Sequence, residues 1–202
     1  MEMFLNELFG SILQIILFTI IPILWWLIIN RRKENFFEWI GIKKIENINI
    51  KIFIYMIIGI LIFFGLGILI LFMKRGIETA TSKFIGLGFN GLAAAIIYSF
   101  FRTALSEEIF FRGFLLKRFS NKFGLLKGNI IQGILFGIIH GILFFNTTGL
   151  IKTIIIIIFT GLIGCFIGYV NEKKTKGSII FSWIVHGISN LISSIISLFS
   201  LI

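Results

Sequence analysis

Six stretches of this chain run uncharged for long enough to cross a bilayer, and nothing else in it restricts the fold so strongly. They cover residues 8–30, 52–73, 84–101, 128–151, 153–171 and 177–202. A crossing helix needs about 20 mostly apolar residues. The third run stops at Arg102, but apolar sequence resumes through Leu116, so it reads as one long, tilted helix over 84–117. The fourth has polar ends and an apolar part nearer 130–145. The only proline, Pro22, lies inside the first run, where a membrane helix can kink without breaking. The N-terminus has no basic region, and its apolar run ends in Asn30-Arg31-Arg32-Lys33, the pattern of a first spanning helix and not of a cleaved signal. Residues 31–51, the longest hydrophilic stretch, form a connector with Trp39 and two Phe that suits the membrane surface. The expected fold is all-α: a polytopic membrane protein of about six transmembrane helices.

Composition agrees. Only 14% of the 202 residues are charged, against about 25% in soluble domains. The single cysteine, Cys165, excludes an internal disulfide. The net charge of +10 would suit nucleic acid, but the basic residues sit between the apolar runs. The first, third and fifth loops hold six, four and three Lys or Arg, and the second and fourth hold three and one. Thirteen against four favours N-out, C-out by the positive-inside rule. The charge therefore reports topology and an anionic membrane surface, and no nucleic-acid partner is expected.

Four charged residues remain inside the expected spans, Arg102, Glu107, Glu108 and Arg112, together with both histidines, His140 and His186. Of the nine acids, all Glu, only Glu107 and Glu108 are expected within the membrane. A charge at the centre of a membrane helix costs about 2.5–3.5 kcal/mol on translocon scales, so such groups face a protein interior or a wet cavity. At 1.5 Å per residue, Glu107, His140 and His186 lie roughly 15, 18 and 14 Å from one face, with Asn190 a turn deeper. Three helices thus bring Glu, two His and Asn to nearly one level.

Spacing sorts them further. Glu108 and Arg112 stand at i,i+4 and can pair, which leaves Glu107 pointing about 100° away. Phe136 and His140 share a face, as do His186 and Asn190. Gly133, Gly137 and Gly141, and likewise Gly164 and Gly168, form ridges that allow close helix approach. Cys165 reads as a packing residue and Ser106 as a helix-facing hydroxyl. A carboxylate and two imidazoles at one depth suit a general base with electrophilic stabilisation. Glu107 would take a proton from water, His140 would hold that water, and His186 and Asn190 would donate to an oxyanion. The same set could instead ligate zinc through Glu107, His140 and His186, although the H-E-x-x-H signature is absent.

Glu107-Glu108-x-x-x-Arg112, Phe136-x-x-x-His140 and His186-x-x-x-Asn190 resemble, in order and spacing, the three motifs of the CPBP family. These are the CAAX-protease and bacteriocin-processing (Abi) membrane proteins, which include the Rce-type prenyl endopeptidases. The resemblance covers roughly 84–200 and divides the chain into N-terminal helices and connector, 1–83, and a protease core, 84–202. It implies an intramembrane endopeptidase whose helical core encloses a catalytic cavity. Catalysis would fall to Glu107, His140, His186 and Asn190, with Glu108, Arg112 and Phe136 in support. The implied partners are the lipid bilayer and a protein or peptide substrate, lipidated in the Rce-type case and cut after its prenylated Cys. Many relatives have eight spans against six here. The expected location is a prokaryotic cell membrane. Zinc is the alternative to the metal-free glutamate mechanism that the residue set favours. Competing functions are peptide or bacteriocin maturation, self-immunity, a non-catalytic scaffold, and a proton-linked transporter.

Overall fold

A computed structural model describes residues 1–46, 48–73 and 80–201. Its elements are helices and turns, with no strand among the described residues. Helix α1, Glu2–Ile29, begins ahead of the first apolar run and passes through Pro22. A short α2, Phe36–Ile40, starts where the Asn35 side chain accepts from the Phe37 amide. It ends at Gly41, whose φ of 89° favours glycine. Helix α3 covers Ile50–Met73. Helices Glu2–Ile29, Leu125–Lys173 and Ile180–Leu198 are long and apolar enough to cross a membrane, and Ile50–Gly65 is a shorter apolar helix. Leu13, Ile16, Ile28, Ile142 and Leu162 are all at least half exposed, as lipid-facing side chains must be. The chain is an integral membrane protein.

The third span departs from its expected start at residue 84. Ser82–Phe84 and Gly88–Gly91 are 3-10 turns, and the helix begins at Leu92. Gly86 and Gly88 take φ of 73° and 52°, which breaks the helical path. From Leu92 the helix, α4, runs without interruption over 92–123, past the expected end at 117, and stops at Gly124 (φ 81°). Two of its segments, Tyr98–Leu105 and Ile109–Leu116, are wound as π-helix. Such widened turns frequently occur at functional sites.

Residues Leu125–Lys173 make 49 consecutive helical positions, roughly 73 Å at 1.5 Å each, which is far too long for one crossing. The break falls at Gly149, with φ 74° and ψ 172°. We name the halves α5, 125–148, and α6, 150–173. Gly133 faces Gly161 and Cys165, and Gly137 faces the Ile157 carbonyl. Gly141 faces Ile157 and Thr153. These pairings run in opposite directions, so α5 and α6 form an antiparallel hairpin on the glycine ridge. The turn lies at Gly149 and not at Lys152, the charge that separates the two apolar runs. Helix α7, Ile180–Leu198, closes the bundle against α3 and α4.

The connector is not confined to the surface. Trp39 and Ile40 are buried against Ile109, Phe114 and Ile179. The Ile179 amide donates to the Gly41 carbonyl at 2.8 Å, and Ser178 Oγ donates to the Lys43 carbonyl at 2.6 Å. The first loop therefore clamps α4 to the start of α7. Of the second-loop bases, Lys74 and Arg75 lie outside the described residues, whereas Lys83 is described.

Candidate active site

Glu107 and Glu108 sit in the one α-helical turn between the two π segments of α4. Their side chains diverge. Glu108 is fully buried, and its Oε1 lies 3.1 Å from Nη1 of the equally buried Arg112, at the expected i,i+4 spacing. The Arg112 guanidinium lies 4.1 Å from the Phe136 ring centre. Its contact with Glu108 is at ion-pair distance but outside hydrogen-bond geometry. Glu107 keeps 17% of its side chain accessible and His140 keeps 22%. That difference decides which acid can meet water: Glu107 can, and Glu108 cannot.

Both histidines reach Glu107. His140 Nε2 is 3.8 Å and His186 Nε2 is 3.9 Å from the same oxygen, Oε2. That oxygen is buried and has no hydrogen-bond partner. These separations exceed direct hydrogen bonds, yet one water could bond all three atoms at ordinary distances. Each ring is oriented from behind. His140 Nδ1 donates to the Phe136 carbonyl at 2.9 Å, one turn back on α5. The Glu108 carboxylate accepts from His186 Nδ1 at 3.0 Å. Because the Nδ1 positions are engaged, the Nε2 positions face Glu107.

Asn190 lies one turn beyond His186 on α7, and its Nδ2 donates to Thr103 Oγ1 at 2.8 Å. The Thr103 hydroxyl itself donates within the π segment, to the Tyr98 and Ser99 carbonyls. One N–H of the Asn190 amide is thus anchored to α4 and the second remains to donate elsewhere. Phe136 is buried and packs on His140, with ring centres 4.3 Å apart.

Glu107, Glu108, Arg112, Phe136, His140 and His186 therefore meet in one cluster, with Asn190 one turn beyond His186 and bonded to Thr103 of α4. Several others were missed. Phe63 of α3 stacks on His186 at 5.2 Å and 27° between planes, so α3 forms one wall of the site. Thr103 stands one turn before Glu107 in sequence; its i,i+4 relation to Glu107 was the available signal. Arg102 does not join the cluster. It donates to Glu7 Oε2 at 2.9 Å, while Lys83 Nζ donates to Glu7 Oε1 at 2.5 Å. Glu7, which was not among the acids expected within the membrane, is 4% exposed and buried in the bundle. The physical reason is the early start of α1, which carries Glu7 into the bundle. Ser106 Oγ donates to the Arg102 and Thr103 carbonyls, as a helix-facing hydroxyl should. Cys165 Sγ packs at the α5–α6 crossing against the Asn129 carbonyl.

No group of three His, Cys, Asp or Glu among the described residues is arranged to hold a metal ion. A tetrahedral zinc with bonds of about 2.1 Å would draw each His nitrogen and the Glu107 oxygen to roughly 3.4 Å of one another. Tetrahedral hydrogen bonds of about 2.8 Å to one water would hold the same atoms roughly 4.6 Å apart, so the observed 3.8 and 3.9 Å lie between the two geometries.

A family model described as type II CAAX prenyl endopeptidase Rce1-like matches residues 89–192, a span that runs from the turn before α4 to just past Asn190. No curated protein and no solved structure matches the chain.

Proposed function

Because the chain belongs to the Rce1-like family of type II CAAX prenyl endopeptidases, and is thereby a membrane-embedded protease, we propose that it hydrolyses a peptide bond near the C-terminus of a membrane-associated protein, with a prenylated CAAX segment as the substrate class. The observation that carries this reading is the convergence of His140 Nε2 and His186 Nε2 on Glu107 Oε2 at 3.8 and 3.9 Å.

In the proposed reaction a water occupies the gap between these three atoms. It donates one hydrogen to Glu107 and the other to His140 Nε2, which is the free acceptor because Nδ1 already donates to Phe136. A water lone pair is left to attack the scissile carbonyl carbon. As the C–O bond forms, Glu107 takes the water proton. The carbonyl oxygen becomes an oxyanion that accepts from His186 Nε2–H and the second N–H of Asn190. The intermediate collapses with cleavage of the C–N bond, and Glu107 returns its proton to the leaving amine. No step passes through a metal. Glu108 and Arg112 position His186 and never touch the substrate. The loop charges support an orientation with both termini outside, so that the face bearing the first, third and fifth loops meets cytoplasmic substrates.

The test is incubation of the detergent-purified chain with a prenylated CAAX peptide and with the same peptide lacking the lipid. Cleavage after the prenylated Cys, with the unlipidated peptide left intact, is expected. Cleavage of neither peptide by a folded protein would overturn the substrate class. Cleavage undiminished in Glu107→Ala would overturn the mechanism.

A further inference from the structure

A cavity of about 300 Å³ lies away from the proposed catalytic cluster, where the end of α1, the turn after it and the last turn of α4 meet. Its lining includes Trp25 and Trp39, Asn30 and Asn121, and two opposite charges, Glu34 and Arg118. The Arg118 guanidinium lies 3.9 Å from the Trp39 ring centre. Its Nε is buried and has no hydrogen-bond partner among the described residues. The Glu34 carboxylate lines the same cavity and forms no close ion pair with it among the described residues. A buried donor without an acceptor costs free energy, about 1–3 kcal/mol and more when charged. The cavity is bordered by the basic first and third loops, and Arg31, Arg32 and Lys33 line an adjoining cavity together with Leu24, Leu27 and Ile28 of α1. Those three aliphatic residues are all exposed on the lipid face.

We infer that this cavity binds the headgroup of a zwitterionic aminoalkyl phospholipid, such as phosphatidylethanolamine. The phosphate takes the Arg118 guanidinium where it lines the cavity, with help from the amides of Asn30 and Asn121. The ammonium sits between the Glu34 carboxylate and the exposed Trp25 ring, whose face attracts cations. The acyl chains run along Leu24, Leu27 and Ile28. One carboxylate and one guanidinium in a single cavity favour a ligand bearing both charges over a purely anionic headgroup.

Native mass spectrometry of the full chain in mild detergent, titrated with phosphatidylethanolamine, phosphatidylglycerol or soluble glycerophosphoethanolamine, tests this directly. Wild type should retain the ethanolamine lipid in preference to the glycerol lipid, and bind the soluble headgroup far more weakly. Glu34→Gln, at an exposed position that leaves the fold intact, should weaken the ethanolamine lipid about tenfold, the size of one charge-assisted contact, and leave the glycerol lipid unchanged. Arg118→Lys keeps the charge but removes the planar guanidinium, and should weaken both lipids. Equal retention of the two lipids by wild type and by both variants would overturn the assignment. So would soluble headgroup bound as tightly as lipid. The readout needs no peptide cleavage, so it stands or falls apart from the protease reading.

Discussion

Two adjacent glutamates offer the sharpest separation of chemistry from structure. Glu107→Gln keeps the side chain's volume and removes only its capacity to take a proton. Oε2 accepts no hydrogen bond among the described residues, and the two His nitrogens beside it stand 3.8 and 3.9 Å away, so no direct hydrogen bond is broken. Activity should fall by about 100- to 10,000-fold, the range for a general acid–base group, with a smaller loss of thermal stability in detergent than Glu108→Gln suffers. Glu108→Gln is the opposite case. It strips the buried Arg112 of its counter-charge and takes the carboxylate acceptor from His186. Removing one member of a buried pair costs about 3–5 kcal/mol, so this variant should unfold at clearly lower temperature and lose activity as well. Adding Arg112→Met to Glu108→Gln removes the stranded charge. Replacing a buried pair by apolar groups is often neutral or stabilising, so the double variant should recover stability but not activity, because His186 still lacks its carboxylate. The assays are cleavage of the prenylated peptide and a thermal unfolding scan on the same samples. An active Glu107→Gln would refute the role given to Glu107. A double variant that regains full activity would refute the positioning role given to Glu108.

Three further outcomes follow from other contacts. Extended chelation should leave peptide cleavage unchanged, since the reaction is assigned without a metal; loss on chelation with recovery on added zinc would reverse that assignment. Gly137→Leu would drive its side chain into the Ile157 carbonyl across the α5–α6 hairpin, so it should cost about 1–3 kcal/mol or more by overpacking, read as a lowered unfolding temperature. Lys176 pairs with Glu46 at 2.7 Å, and that hydrogen bond and charge hold the Glu46 carboxyl below its ordinary value. The pair's contribution is present above the ordinary carboxylate range and is lost as pH falls through the lowered value; being exposed, it is slight, and Lys176→Ala should leave activity and unfolding temperature unchanged.

The candidate site was legible in the sequence because hydrocarbon makes polar residues conspicuous. Glu107, His140, His186 and Asn190 stand out in apolar runs, and counting residues from the charged ends placed them at one depth. The i,i+4 rule likewise anticipated the pairing of Glu108 with Arg112. What it could not show was the second partner of Glu108, because the His186 contact joins residues 78 apart. Phe63 was illegible for a different reason: it is one of 25 Phe, and nothing local distinguishes a ring that stacks on His186 from one that faces lipid. The boundaries failed where charge was used as a proxy for backbone. Lys152 separates two apolar runs, but a lysine does not stop a helix; Gly149 does, by adopting a positive φ. The same error began the third span at residue 84, ahead of glycines that delay the helix to Leu92. Glu7 was left out of the membrane set because it precedes the first apolar run, whereas α1 already includes it and brings it against Lys83 and Arg102.

The charges of the cluster also bear on how the proposed reaction can proceed in a low-dielectric site. His186 Nδ1 faces a carboxylate that can only accept, so donation to an oxyanion through Nε2 requires both ring nitrogens to carry hydrogen. The imidazolium that results makes Glu107, Glu108, Arg112 and His186 sum to zero, which is the state that avoids the cost of an uncompensated buried charge. When Glu107 takes the proton from water it becomes neutral, and the negative charge passes to the oxyanion a few ångströms away. The sum stays at zero through the tetrahedral intermediate. Attack therefore shifts a negative charge from one preorganised set of donors to another and places no new net charge within the bilayer. Arg102 would spoil this balance if it faced the cluster, and its pairing with Glu7 keeps it out.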